Sequence, residues 1–240
     1  MSSRNNTDTF YIYHHLGLGD HIVCNSIVRN ICKKFSNQKI ALFCTPRYVN
    51  AIKFMYSDIH NIEIISGDDG IAHEIIDTIP AQNKILIGHH HVLDMIKRGL
   101  TVEQGFFDQV GLKFKTKWDD FYISRNLQRE EEIYKKLNPS NEPYIFLHED
   151  AERNFIVKRE LFTNHNIPVI TPDMNLTDNI FDYITLIERA EEVHVIESCF
   201  MFLIDLILKK PRVSINTHRY ARPLPNWELP TNRLNWTTYT

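Results

Sequence analysis

Short apolar runs, each followed by a stretch of helical periodicity, recur along most of this 240-residue chain and leave it few folds to adopt. The runs Phe10–Tyr13, Ile40–Cys44, Ile62–Ile65, Ile85–Ile87, Tyr144–Leu147, Pro168–Ile170, Val193–Ile196 and Arg212–Ile215 read as buried strands. Strands that alternate with helices pair in parallel, because the helix returns the chain to the starting end, and helices then cover both sheet faces. The helix signals lie between the runs. From His21, Val23, Ile27, Ile31 and Phe35 form one apolar stripe, and Thr45 before Pro46 starts another helix. Thr101 and Gln104 have capping-box spacing, with Gly111 as the stop. Ile180, Ile184 and Ile187 mark a helix ending near Ala190, and Ser198 can cap one that continues to Lys210 and stops at Pro211.

The alternation comes in two series, separated by a charged helix and a polar stretch with two prolines, "RNLQREEEIYKKLNPSNEPY". The expected class is therefore α/β, with two Rossmann-like β/α/β domains facing across a cleft in a compact arrangement. Residues 1–125 form the first, 126–143 a helix and linker, and 144–240 the second, with an irregular tail from Asn216 that packs outside. A hydrophobic content of 43% against 24% charged residues supplies a core for both. The net charge is -3 with scattered Lys and Arg, so a nucleic-acid partner is not expected. Cys24, Cys32, Cys44 and Cys199 form no CxxC pair, which fits a reducing compartment. The N-terminal "MSSRNNTDTF" has no apolar signal region, and no run approaches the roughly 20 residues of a membrane span. A cytoplasmic protein without a transmembrane segment is expected.

"YIYHHLGLGDHIV", Tyr11 to Val23, reads as a strand, a glycine turn and a helix. Gly17 and Gly19 allow close backbone approach to a ligand, and the helix start offers unpaired N–H groups, a phosphate site in outline. Ile22 stands where a dinucleotide fingerprint has its third glycine, and Cys44-Thr45-Pro46 ends the second strand without an acid. A nicotinamide or flavin cofactor is thereby disfavoured, and the absence of GK[ST] excludes a P-loop. Asp20 has two readings, a charge that stabilises its own helix or a group that does chemistry.

A strand followed by GLGD and a helix resembles the start of the heptosyltransferase-like branch of the GT-B glycosyltransferases. Three later stretches resemble the same family in the same order. "YIFLHEDAERNF" is similar to the first strand and basic loop of its donor domain, "PVITPD" to the strand near the nucleoside, and "VHVIESCFMFLIDLILKKPRVSI" to its strand–acid–small-residue–helix element. The resemblance implies a GT-B-like fold and an inverting, metal-independent transfer of sugar from a nucleotide diphosphate sugar to a glycan or other hydroxyl acceptor, without a cofactor. It implies Asp20 as general base. On the donor it implies Gly17 and Gly19, His148, Arg153 on the diphosphate, Asp173 near base or ribose, and Glu197 and Ser198 against phosphates and sugar. The alternative readings are a surface salt bridge for Arg153 and a helix cap for Ser198.

"GHHHV", Gly88–Val92, lies at the end of a strand, so His89 and His90, with His15, are candidates for the acceptor side. Adjacent histidines point in different directions and make a poor single-metal site, and surface or helix-start histidines are the plain reading. Trp227 and Trp236 read as packing. Two departures from the family matter: Cys199 follows the hydroxyl where the family usually has glycine, and Phe202 stands where a histidine often lies. With the short length, they leave open a partner-dependent enzyme, or a non-catalytic subunit that binds nucleotide or glycan.

Overall fold

The computed structural model describes residues 9–88, 92–209 and 213–240. The chain divides into two compact units, Met1–Ser124 and Arg125–Thr240. Each is an α/β layer structure on a wholly parallel sheet.

In the first unit, β1 (Thr9–Tyr13), β2 (Lys39–Cys44), β3 (Ile62–Ser66) and β4 (Lys84–Leu86) lie in the order β3-β2-β1-β4. Ile12 is opposite Leu42 on one side and Ile85 on the other. Successive side chains of a strand point to opposite faces. Tyr11, Tyr13, Ala41 and Phe43 therefore meet Ala72 and Ile76 of α4 (Asp69–Thr78) on one face, while Phe10, Ile12, Ile40 and Leu42 are buried on the other. The stripe expected from His21 forms two helices, α1 (Leu18–Val23) and α2 (Asn25–Lys34), broken at Cys24. α1 begins three residues earlier than expected because Gly17 is its extended N-cap residue, whose carbonyl accepts from His21 N–H at 3.1 Å. Gly19 is thus inside a helix, not in the turn. After Pro46–Tyr48 in a 3-10 turn come α3 (Val49–Met55), α5 (Val92–Lys97), α6 (Val102–Gln109) and α7 (Thr116–Asp119). Both halves of the Thr101/Gln104 capping box are formed, and Gly111 at φ +69° follows the helix.

The second unit begins with α8 (Leu127–Leu137), capped by Asn126, and its sheet has the order β6-β5-β7-β8-β9. Its strands are β5 (Ile145–His148), β6 (Val169–Ile170), β7 (Glu192–Val195), β8 (Ser214–His218) and β9 (Thr237–Tyr239). α9 (Ile184–Arg189) follows a 3-10 turn, and α10 (Cys199–Ile207) leaves the end of β7. Buried Glu130 on α8 takes the Arg125 guanidinium at 2.6 Å and Thr185 N–H and Oγ1–H at 3.1 and 2.8 Å, pinning α8 to α9.

The tail departs from expectation. β8 runs on to His218, and Thr237–Tyr239 adds a fifth parallel strand. A buried acid makes this possible: the Asp205 carboxylate on α10 accepts from Arg233 N–H, Leu234 N–H and Trp236 Nε1–H at 3.0 to 3.2 Å. The Arg233 guanidinium in turn donates to the carbonyls of Asp205 and Leu208, groups that a helix end leaves without intrahelical partners. Among the described residues no helix is long and apolar enough to cross a membrane.

Asp205→Ala strands three donors and is expected to cost the second unit about 3 kcal/mol. A denaturant titration followed by tryptophan emission measures it. A loss below about 0.5 kcal/mol, the range of ordinary surface changes, would remove Asp205 as the anchor of the tail.

Candidate functional site

Parallel strands end together, and two sets of polar side chains collect at their C-terminal ends. At the first sheet the set begins directly after β1. His14 turns inward: its Nδ1–H donates to the His15 carbonyl at 2.6 Å, and its ring meets that of fully buried His21 at 4.3 Å, edge to face. Burial pushes the His14 imidazole down to about 4, and His21 well below its ordinary value, with His14 adding to the effect. His15 turns the other way and lies 5.3 Å from the Phe106 ring, edge to face.

Asp20 is the third residue of α1, where a carboxylate meets the positive end of the helix dipole. Its Oδ1 is 3.9 Å from His15 Nδ1. Gly17 serves here through space and not through an unusual φ, which is −69°. A Cβ at position 17 would lie 2.6 Å from Asp20 Oδ2. In the same unit, Lys117 Nζ and Glu103 Oε2 form a buried 2.9 Å ion pair. Burial pushes the Cys24 thiol well up, with Asp20 and Glu103 adding to the effect.

The second set lies where β5 and β7 end. His148 Nδ1 and Ser198 Oγ are 3.1 Å apart, and the His148 ring sits 4.4 Å from that of Phe200. Ser198 is the N-cap residue of α10, yet its side chain makes no capping hydrogen bond. Its hydroxyl is turned to His148 instead. Glu197, 1% exposed, accepts from Arg219 Nε at 2.9 Å through Oε1, while its backbone carbonyl accepts from Arg222. Its Oε2 is buried without a hydrogen-bond partner among the described residues. Burial raises its carboxyl above the usual range, against the pull of Arg219 and Arg222.

The expected donor residues therefore divide. His148, Glu197 and Ser198 converge. Arg153 is exposed and closes its own loop, donating to Asp150 Oδ2 at 2.7 Å through Nε and at 2.6 Å through Nη2. Asp173 closes a turn by accepting Asn175 N–H at 2.9 Å, and its carbonyl holds the Tyr183 hydroxyl. His89 and His90 lie outside the described residues. Arg219 and Arg222 were missed because they sit in the segment read as irregular. Their signal was "RYAR", three residues beyond the run Arg212–Ile215, whose strand end is a ligand-binding position. Among the described residues no three His, Cys, Asp or Glu side chains are grouped to hold a metal ion.

No family model matches the chain, and no curated protein matches it. Among solved structures it is similar to the glycosyl transferase family 9 crystal structure from Veillonella parvula DSM 2008, at 11% identity and a TM-score of 0.49. The match covers 87% of this chain and 80% of that one.

The buried imidazoles make stability fall with acid. His14 and His218, both held down to about 4 chiefly by burial, stay neutral in the fold, whereas an unfolded histidine takes its proton near pH 6.5. Stability contributed by the neutral forms is complete above about pH 6.5 and is lost as pH falls toward 4, up to about 2 kcal/mol per group by pH 5. Glu197 acts in the opposite sense, and Glu149, Glu192 and Asp150, held below their usual range, add to the loss only below about pH 4.3, where unfolded carboxylates take protons. Urea unfolding between pH 7 and 5 is expected to show a falling midpoint, and a flat profile would contradict the neutral buried histidines.

Proposed function

We propose that the chain is a glycosyltransferase that moves a sugar from a nucleotide diphosphate sugar to the hydroxyl of a glycan or other acceptor, with inversion and without a metal. One observation carries the reading: a buried glutamate whose second carboxylate oxygen has no partner among the described residues, beside two arginines, at the N-terminus of a helix and the C-terminal end of a parallel sheet. A buried charge left short of partners is costly, and a ligand hydroxyl is the donor such an oxygen takes. Guanidinium groups and a helix N-terminus suit the charge that grows on a departing diphosphate. The hydroxyl and imidazole of Ser198 and His148 add a donor and an acceptor beside them.

Asp20 is the base in this reading. The acceptor's O–H proton passes to its carboxylate as the hydroxyl oxygen bonds the anomeric carbon, and the diphosphate leaves with the electron pair of the bond that breaks. A positioned base of this kind is worth about 10²–10⁴-fold. The motif order from "GLGD" to "VHVIES" supports the assignment.

A thermal-shift panel of nucleoside diphosphates and their sugars tests it. A ligand at 100 times its Kd is expected to add about 2.7 kcal/mol of stability. Asp20→Asn is expected to keep that binding and to lose about 10²-fold or more in transfer. Silence across the panel sinks the donor site, undiminished transfer by Asp20→Asn sinks the base, and binding without turnover by the wild type makes the chain a non-catalytic nucleotide-binding subunit.

A further inference from the structure

The reading above gives His15 no task, although three elements fix the place of its ring. Gly88, just past β4, has φ +137°, a conformation that side chains rarely adopt. A Cβ there would lie 2.4 Å from both Cδ2 and Nε2 of His15, so the missing side chain is the seat of the imidazole. Gln109 at the end of α6 holds that seat, its Oε1 accepting from Gly88 N–H at 2.9 Å and its Nε2 donating to the Gly88 carbonyl at 3.2 Å. Phe106, one turn earlier on α6, meets the ring edge to face. α6 itself is started by the complete capping box at Thr101 and Gln104.

We propose that His15 is a positioning residue for Asp20, an inference that rests on the reading of Asp20 as the base. The seat aims Nδ1 at Asp20 Oδ1, and the bare Cα of Gly17 makes room for Oδ2. With the imidazole 3.9 Å from Oδ1 and open space beside Gly17 for Oδ2, the carboxylate's rotation about the Cβ–Cγ bond is biased, and with it the direction of the lone pair that takes the acceptor's proton. His15 gains and loses no proton in the step. A base misdirected by a fraction of its hydrogen-bond length loses much of its effect, because efficiency depends on near-attack geometry.

Two measurements on the full chain test this. The first needs no sugar: in protein labelled with ¹⁵N-histidine, Asp20→Asn is expected to shift the ring-nitrogen signals of His15 and to leave those of exposed His165 unchanged. Unmoved His15 signals overturn the pairing. The second is turnover. His15→Ala is expected to lower kcat by about tenfold with donor KM within about threefold, the pattern of an interaction used in the transition state. His15→Asn, whose amide nitrogen lies near the Nδ1 position, is expected to recover most of the loss, whereas His15→Gln, which mimics Nε2, is not. Equal losses for His15→Asn and His15→Ala overturn the positioning role. A wild type that transfers no sugar overturns the reading of function, a result told apart from failure of the pair by the ring signals.

Discussion

Parallel pairing is the constraint on which the other features depend. β1 is hydrogen-bonded on both sides, to β2 and β4, and β5 likewise to β6 and β7, with every partner running in the same direction. Backbone N–H and C=O groups in such a sheet are satisfied by neighbours, so both faces can be apolar and covered. The strands must then stop at one edge, and the residues that follow them meet there. His15 follows β1, Gly88 follows β4, Glu197 follows β7 and Arg219 follows β8. At the first sheet His15 and Gly88 thereby lie side by side, and at the second Arg219 reaches Glu197 at 2.9 Å, without any local motif linking them.

Burying polar groups in these layers is tolerable only where partners are supplied, and the second unit shows how the partners dictate chemistry. Glu192 accepts Thr163 N–H and Oγ1–H, the latter at 2.7 Å, and lies 2.8 Å from His194 Nε2. A carboxylate only accepts, so His194 carries its proton on Nε2 and must accept at Nδ1. His218, 2.7 Å away, therefore donates from Nε2. The ring so oriented stacks on Tyr239 of β9 at 5.0 Å and 12°. One acid on β7 thus sets the tautomers of two histidines and presents a flat face to the last strand. With the Asp205 anchor, this explains why three residues, Thr237–Tyr239, hold as a strand.

The strands and most helix starts were legible because their signals are local. Period, capping box and Pro after Thr are read within a few residues, and the Thr101 box and the Gly111 stop stand where their chemistry requires. β9 was not legible, since "TTY" is too short for a period, its pairing partner β8 lies about 20 residues back, and Asp205, which anchors Trp236 just before it, is 31 residues from that tryptophan. The site divides the same way. Glu197 could be read from its place after an apolar run, but the guanidinium on it could not, because Arg219 comes from another strand end. Arg153 has the right sequence context, yet Asp150, three residues earlier, takes its guanidinium. A nearby partner with almost no chain to order competes well against a distant one.

The same reasoning resolves a carboxylate placed at a helix start, a position that attracts anions. An acid in the first turn occupies the dipole's positive end itself, which makes α1 a poorer phosphate cradle than its glycines suggest. Gly17 supports this account. Its φ is ordinary for any residue, and a Cβ there would lie 2.6 Å from Asp20 Oδ2, so a side chain at 17 would turn the carboxylate out of its present place. The glycine of this turn makes room for the chain's own carboxylate. A structural helix charge would need only the dipole, whereas here a second glycine, Gly88, seats an imidazole facing the other oxygen. One clearance leaves room for Oδ2 and the other seats the imidazole 3.9 Å from Oδ1, and helix stability requires neither.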